Sequence, residues 1–137
     1  MQISVESTIE NLDDRGIPYG EPEVSATQSE ARVIKKDDAM VINYTEESDG
    51  GKTSTTITVF DNRILLERRG AIEWSVTFKE GHTESTVYKI PPYAFDCKVC
   101  TKRIRKTVDG SITIRLFYLM DLGGGKKNTK MKITVGQ

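Results

Sequence analysis

The chain has 137 residues, of which 36% are hydrophobic and 29% charged, with acidic and basic side chains in equal number. That length suits one domain, residues 1–137, and the composition excludes a disordered or fibrous chain. No apolar run approaches the ~18 residues of a membrane span, so no membrane contact is expected. The amino terminus lacks a basic segment leading into an apolar one, and a chain with only two cysteines has no disulfide framework. A reducing, cytoplasmic location is therefore the expectation.

Zero net charge conceals an asymmetry. Residues 1–88 carry 17 acidic and 9 basic side chains, whereas residues 89–137 carry 3 and 11. A basic half can mark a nucleic-acid surface. In a closed barrel, however, the last strand pairs with an early one, and the two halves then neutralise each other.

In chain order, Ile3 and Val5 suggest a short opening strand, Met1–Ser7. Gly16, Pro18, Gly20 and Pro22 make the remainder of residues 1–24 a partly irregular, acidic segment. Met40, Ile42 and Tyr44 alternate with polar or smaller neighbours, and Asp49-Gly50-Gly51 supplies a turn. Thr53 to Val59 is a β-branched run that crowds a helix and suits a pleated sheet. Asp61-Asn62 leads into Arg63 to Arg68. After Gly70, the residues Ile72, Trp74, Val76 and Phe78 form the cleanest period-2 apolar face in the chain. Glu80-Gly81 is expected to close a hairpin onto Glu84–Ile90. Pro91-Pro92 follows, a pair no central strand could hold. Residues 94–107 read as one long strand with Phe95, Cys97 and Val99 on one face. Asp109-Gly110 is a strong hairpin signal, and Ile112, Ile114, Leu116 and Tyr118 share a face beyond it. Gly123-Gly124-Gly125 is a loop, and Met131, Ile133 and Val135 make a closing strand.

Eight to ten short strands joined by tight turns predict an all-β fold, a closed antiparallel up-and-down meander barrel, with a two-sheet sandwich as the second choice. An interior of this size is filled by side chains or holds one small ligand.

An ordered set of residues runs through the chain: Tyr44-Thr45-Glu46, Thr55-Thr56-Ile57, Arg68 with Gly70, Phe78 with Gly81, Tyr88 ahead of Pro91, and Gly110 before Ile112 to Tyr118. In that order it resembles the YwiB-like family of uncharacterised bacterial proteins, over roughly residues 25–135. The family pattern has a Thr-Pro step and a glycine where this chain has Ile90-Pro91-Pro92-Tyr93. The resemblance implies a lipocalin-like (calycin) barrel and carries no activity.

Motifs that suggest chemistry are better explained by structure. Cys97 and Cys100 have redox spacing, but on a strand at ~3.3 Å per residue they lie roughly 10 Å apart and point to opposite faces. Zinc would need two further ligands and the chain has one histidine, His82, so no metal is expected. Gly123 to Lys127 lacks the flanking elements of a phosphate-binding loop. Lys102-Arg103-Ile104-Arg105-Lys106 is basic but without interleaved aromatics for base stacking. No catalytic residue, no cofactor and no enzymatic activity are indicated. Glu46 and Glu47 are adjacent on a strand and face opposite ways.

One grouping follows from topology. Alternate strands of a meander end at the same rim. Parity along each strand then gathers Tyr44, Glu46, Arg68, Tyr88 and Tyr118 at one mouth, with Trp74 on its floor. Polar groups converging on an apolar cavity are how small-ligand sites are built. The alternative is a plug, in which a Glu46–Arg68 pair ringed by tyrosines satisfies itself. The sequence therefore predicts a non-enzymatic barrel for a small anionic or amphiphilic ligand. Its rival is a filled barrel whose basic carboxyl-terminal strands bind RNA or an acidic protein. A homodimer is compatible with either reading.

Overall fold

The structure, a computed structural model, describes residues 1–48 and 50–136. Asp49 of the expected Asp49-Gly50-Gly51 turn lies outside the described residues. The chain forms β1 (Gln2–Leu12), β2 (Pro18–Lys36), β3 (Ala39–Ser48), β4 (Gly51–Val59) and β5 (Ile64–Gly70). It continues through β6 (Trp74–Phe78), β7 (Thr83–Ile90), β8 (Tyr93–Asp109), β9 (Ser111–Asp121) and β10 (Lys126–Gly136). These ten strands make one antiparallel sheet in the order β6-β5-β4-β3-β2-β1-β10-β9-β8-β7. The first strand pairs the last over Gln2–Leu12 and Lys126–Gly136, which curls the meander into a barrel. Among the described residues no helix is long and apolar enough to cross a membrane.

The wall is closed unevenly. β6 and β7 are consecutive, yet the ladder expected at the Glu80-Gly81 hairpin does not form. Glu73 and Lys89 exchange both backbone hydrogen bonds at 2.9 Å, an isolated bridge at one end. At the other end the His82 N–H closes the turn on Lys79 O at 3.0 Å, but Gly81 donates to Thr101 O and Thr101 donates to His82 O, so beyond the turn itself the chain is tied to β8 and not to β6. Between these points side chains span the seam. Trp74 Nε1 donates to Thr86 Oγ1 at 2.6 Å, and the Thr77 N–H donates to Glu84 Oε2 at 2.6 Å.

The first 24 residues are more regular than their glycines and prolines suggest. β1 runs unbroken to Leu12, and β2 already begins at Pro18. Pro22 is tolerated because the β1–β2 register shifts between Glu23 and Tyr19, leaving Gly20 to Pro22 unpaired, and Pro18 because β2 pairs β3 only from Ala31 to Lys36. Along its first half one edge is free, and a free edge demands no N–H.

Alternation divides the interior into two tiers. Toward the end of the barrel where β3 and β9 start and β4 and β6 finish, Ile42, Ile57, Val76, Phe78, Ile114 and Leu116 are each 0% exposed. Toward the other end the inward positions become Tyr44, Thr55, Arg68, Trp74, Thr101, Tyr118 and Thr129. Among the described residues the buried polar ones are all threonines: Thr53, Thr55, Thr101 and Thr129. One barrel end is therefore hydrocarbon and the other is half polar.

Candidate functional site

The polar tier is assembled by register. Tyr44 on β3 stands opposite Thr55 on β4, Thr55 opposite Arg68 on β5, and Arg68 opposite Trp74 on β6. On the facing wall, Thr101, Tyr118 and Thr129 are cross-strand neighbours on β8, β9 and β10. Trp74 lies edge-on to Tyr88 with ring centroids 5.3 Å apart, and Phe78 is 4.8 Å from Tyr118. Tyr44, Trp74 and Tyr118 are buried, while Glu46, Arg68 and Tyr88 are half-buried. The residues named from the sequence thus lie on inward positions at one end of the barrel.

Gly70 holds the end of β5 in place. Its φ is +129°, and a Cβ there would collide with the Lys52 carbonyl oxygen. That close approach lets Ala71 donate to Lys52 O at 2.9 Å and fixes the rim two residues beyond Arg68.

Electrostatics centre on Arg68. Burial pushes the Tyr118 phenol up to about 12, against the pull of the Arg68 guanidinium. Burial likewise raises Tyr44, where Arg68 lowers and Glu46 raises the value. One cation therefore acts on tyrosines from both walls. The plug reading expected a Glu46–Arg68 ion pair, and this is corrected: among the described residues the ion pairs are Met1–Glu30 and Glu47–Lys52. Register explains it. Glu46 stands opposite Thr53, and Thr53 opposite Gly70, one step along from the Tyr44–Thr55–Arg68 row. Arg68 Nε is buried without a hydrogen-bond partner, as is the hydroxyl of Thr101. Buried polar atoms without partners are uncommon and mark places where water or a ligand completes the bonding.

Beside this tier the β6–β7 seam opens a cleft of about 620 Å³, lined by Arg68, Trp74, Glu84 and Thr86 together with Glu73 and Lys89 at its lip. Sequence reading missed the threonines and Glu84. Parity with Ile57, Val99 and Met131 was the available signal for Thr55, Thr101 and Thr129. Threonine is ordinary on either face of a sheet, so the signal is weak. Cys97 is buried, Cys100 faces the other way, and both are free. Among the described residues no group of His, Cys, Asp and Glu could hold a metal ion.

Fold and interior together define a small antiparallel β-barrel with one apolar and one polar end. Residues 3–134 match the family described as "Domain of unknown function (DUF1934)", and the chain belongs to that family. It is similar to the "Uncharacterized beta-barrel protein YwiB" of Bacillus subtilis (strain 168), 29% identical over 107 residues, 76% of this chain and 74% of that protein. The crystal structure of the ywiB protein from Bacillus subtilis matches with a TM-score of 0.81 at 27% identity, covering 99% of this chain and 91% of that one. The YwiB-like resemblance in the sequence is thereby established.

Proposed function

We propose that this barrel is a non-enzymatic, lipocalin-like binding module for a small anionic or amphiphilic ligand, acting in the cytoplasm. The observation that carries the reading is the unpartnered, buried Nε of Arg68, set between Tyr44 and Tyr118. A guanidinium presents a rigid fork of donors suited to a carboxylate or phosphate, and an unmet buried donor is costly. The anionic head would sit on Arg68, and an apolar remainder would lie against Trp74 along the seam cleft. Without its Glu46–Arg68 pair the plug loses its main internal satisfaction, which favours the ligand reading. The free cysteines fit a reducing compartment.

Native mass spectrometry of the protein purified from its own cells tests this. A retained small anion in the wild type, absent from Arg68→Gln, is the expected result. Bare protein in the wild type, or equal retention by the variant, would overturn it.

A further inference from the structure

Outside the barrel, on the outer side of the wall that carries Thr101, Tyr118 and Thr129, the register of β8, β9 and β10 builds a face that the linear sequence does not display. Arg105 stands opposite Arg115, and Arg115 opposite Lys132. One row along, Arg103 stands opposite Phe117, and Phe117 opposite Lys130. These outward side chains lie on strands ~4.8 Å apart, and like charges directly opposite oppose sheet pairing. The run Lys102 to Lys106 lacks aromatics along the chain, but across strands Phe117 is interleaved between two cations. None of these cations is in an ion pair among the described residues. Carboxylates stand at the ends and edges of this face: Asp121, at the end of β9, lies opposite Lys98 and Lys126. Glu6 faces Lys132, Glu10 faces Asn128, and Glu80 Oε1 accepts the Ile104 N–H at 2.8 Å. The pairing of β1 with β10 therefore neutralises one flank of the basic half and leaves the β8–β9 cations bare.

A recess of about 450 Å³ opens on the same face, bordered by Lys102, Phe117, Leu119, Asn128, Lys130 and Glu10. It combines an aromatic ring, an amide and flanking cations. A small anion would use one cation and leave the row repelling itself, whereas a polyanion engages several at once. An acidic peptide satisfies the row but has no use for the aromatic recess. An unstacked base does, because every base has a π-face.

We propose that the outer β8–β9–β10 face binds single-stranded nucleic acid, with phosphates on Arg105, Arg115 and Lys132 and a base in the Phe117 recess. This surface lies on the outer side of the β8–β10 wall, whose inner side faces the interior anion site.

The test is fluorescence anisotropy of labelled oligo(U) and oligo(dU) with the full chain across a salt series. Binding of either strand is expected to weaken as salt rises, and a difference between them reports a 2′-hydroxyl contact. Arg115→Gln, an exposed change, should reduce the log–log salt slope by about 0.7, the single-strand value for one lost phosphate contact. Phe117→Leu should weaken binding about tenfold with the slope unchanged, as loss of one stacked base does. Both variants must keep the wild-type Trp74 emission and must melt no lower than the wild type; Arg115→Gln, which relieves the cross-strand repulsion, should melt at or slightly above it. No salt-dependent binding of either oligonucleotide overturns the proposal. So does displacement by polyglutamate at equal affinity with Phe117→Leu indistinguishable from wild type, which would instead mark a docking face for an acidic protein.

Discussion

The indole of Trp74 donates to the hydroxyl of Thr86 at 2.6 Å across the line where β6 and β7 part company. Trp74 is the only tryptophan in the chain and is buried, so this bond closes the seam and also reports on it. Thr86→Val keeps the shape and removes the acceptor. It should destabilise the barrel by about 1–3 kcal/mol, the cost of an unmet buried donor, and change the Trp74 emission. Chemical denaturation followed by fluorescence measures both.

The free edge of β2 makes a sharper test of the fold. The Ala31 N–H donates to Met1 O at 2.7 Å, toward β1. Strand alternation then directs the Thr27 N–H toward β1 as well and the Ala26 N–H to the open side. Thr27→Pro should cost about 2 kcal/mol or more through the lost ladder bond. Ala26→Pro, one residue away, should leave the melting temperature nearly unchanged. Equal losses would mean that the edge is not free.

Fold class, strand order and inward faces were legible because apolar side chains recur at period two from Met40 to Val135. Three things were not. The β6–β7 gap arises because the Glu80-Gly81 turn bonds to Thr101 and His82 stays outside any hairpin ladder, a long-range preference absent from the local signal. The regularity of the first strands depends on their partners. The proline- and glycine-bearing segment Pro18–Pro22 stays within β2 because β1, held on its other side by β10, pairs Pro18, Tyr19 and Glu23 around an irregularity at Gly20 to Pro22. Within the site, parity brought Tyr44, Arg68 and Tyr118 to one end. Parity cannot give register, so the absence of a Glu46–Arg68 pair could not be read.

Alkaline titration examines the tyrosines. A phenol whose folded pKa is raised stabilises the fold below its unfolded value of ~10 and loses that contribution as pH climbs through the folded one. For Tyr118, pushed up to about 12, stability should hold below pH ~10 and fall by on the order of 2–3 kcal/mol toward pH ~12. Tyr118→Phe should flatten the fall. Glu46→Gln should lower the Tyr44 ionisation and Arg68→Gln should raise it, because the two charges act on that phenol with opposite sign. Ultraviolet difference spectra resolve these steps.

Glu46 and Glu47 offer a matched pair on the two faces of β3. Glu47 is exposed, 3.5 Å from an equally exposed Lys52, and such pairs contribute little. Glu47→Ala should change stability by less than about 0.5 kcal/mol. Glu46 is half-buried beside Tyr44, and Glu46→Ala should cost about 1 kcal/mol. Equal melting temperatures would contradict the inward placement of Glu46.

Trp74 fluorescence during titration with straight-chain carboxylates, acetate through decanoate, tests the interior anion site most directly. Saturable quenching or enhancement that tightens with chain length is expected in the wild type. In Arg68→Met it should be at least about tenfold weaker, the loss of one charge-assisted bond. No saturable change with any of the acids, or equal affinity in the variant, would contradict an anion held by Arg68.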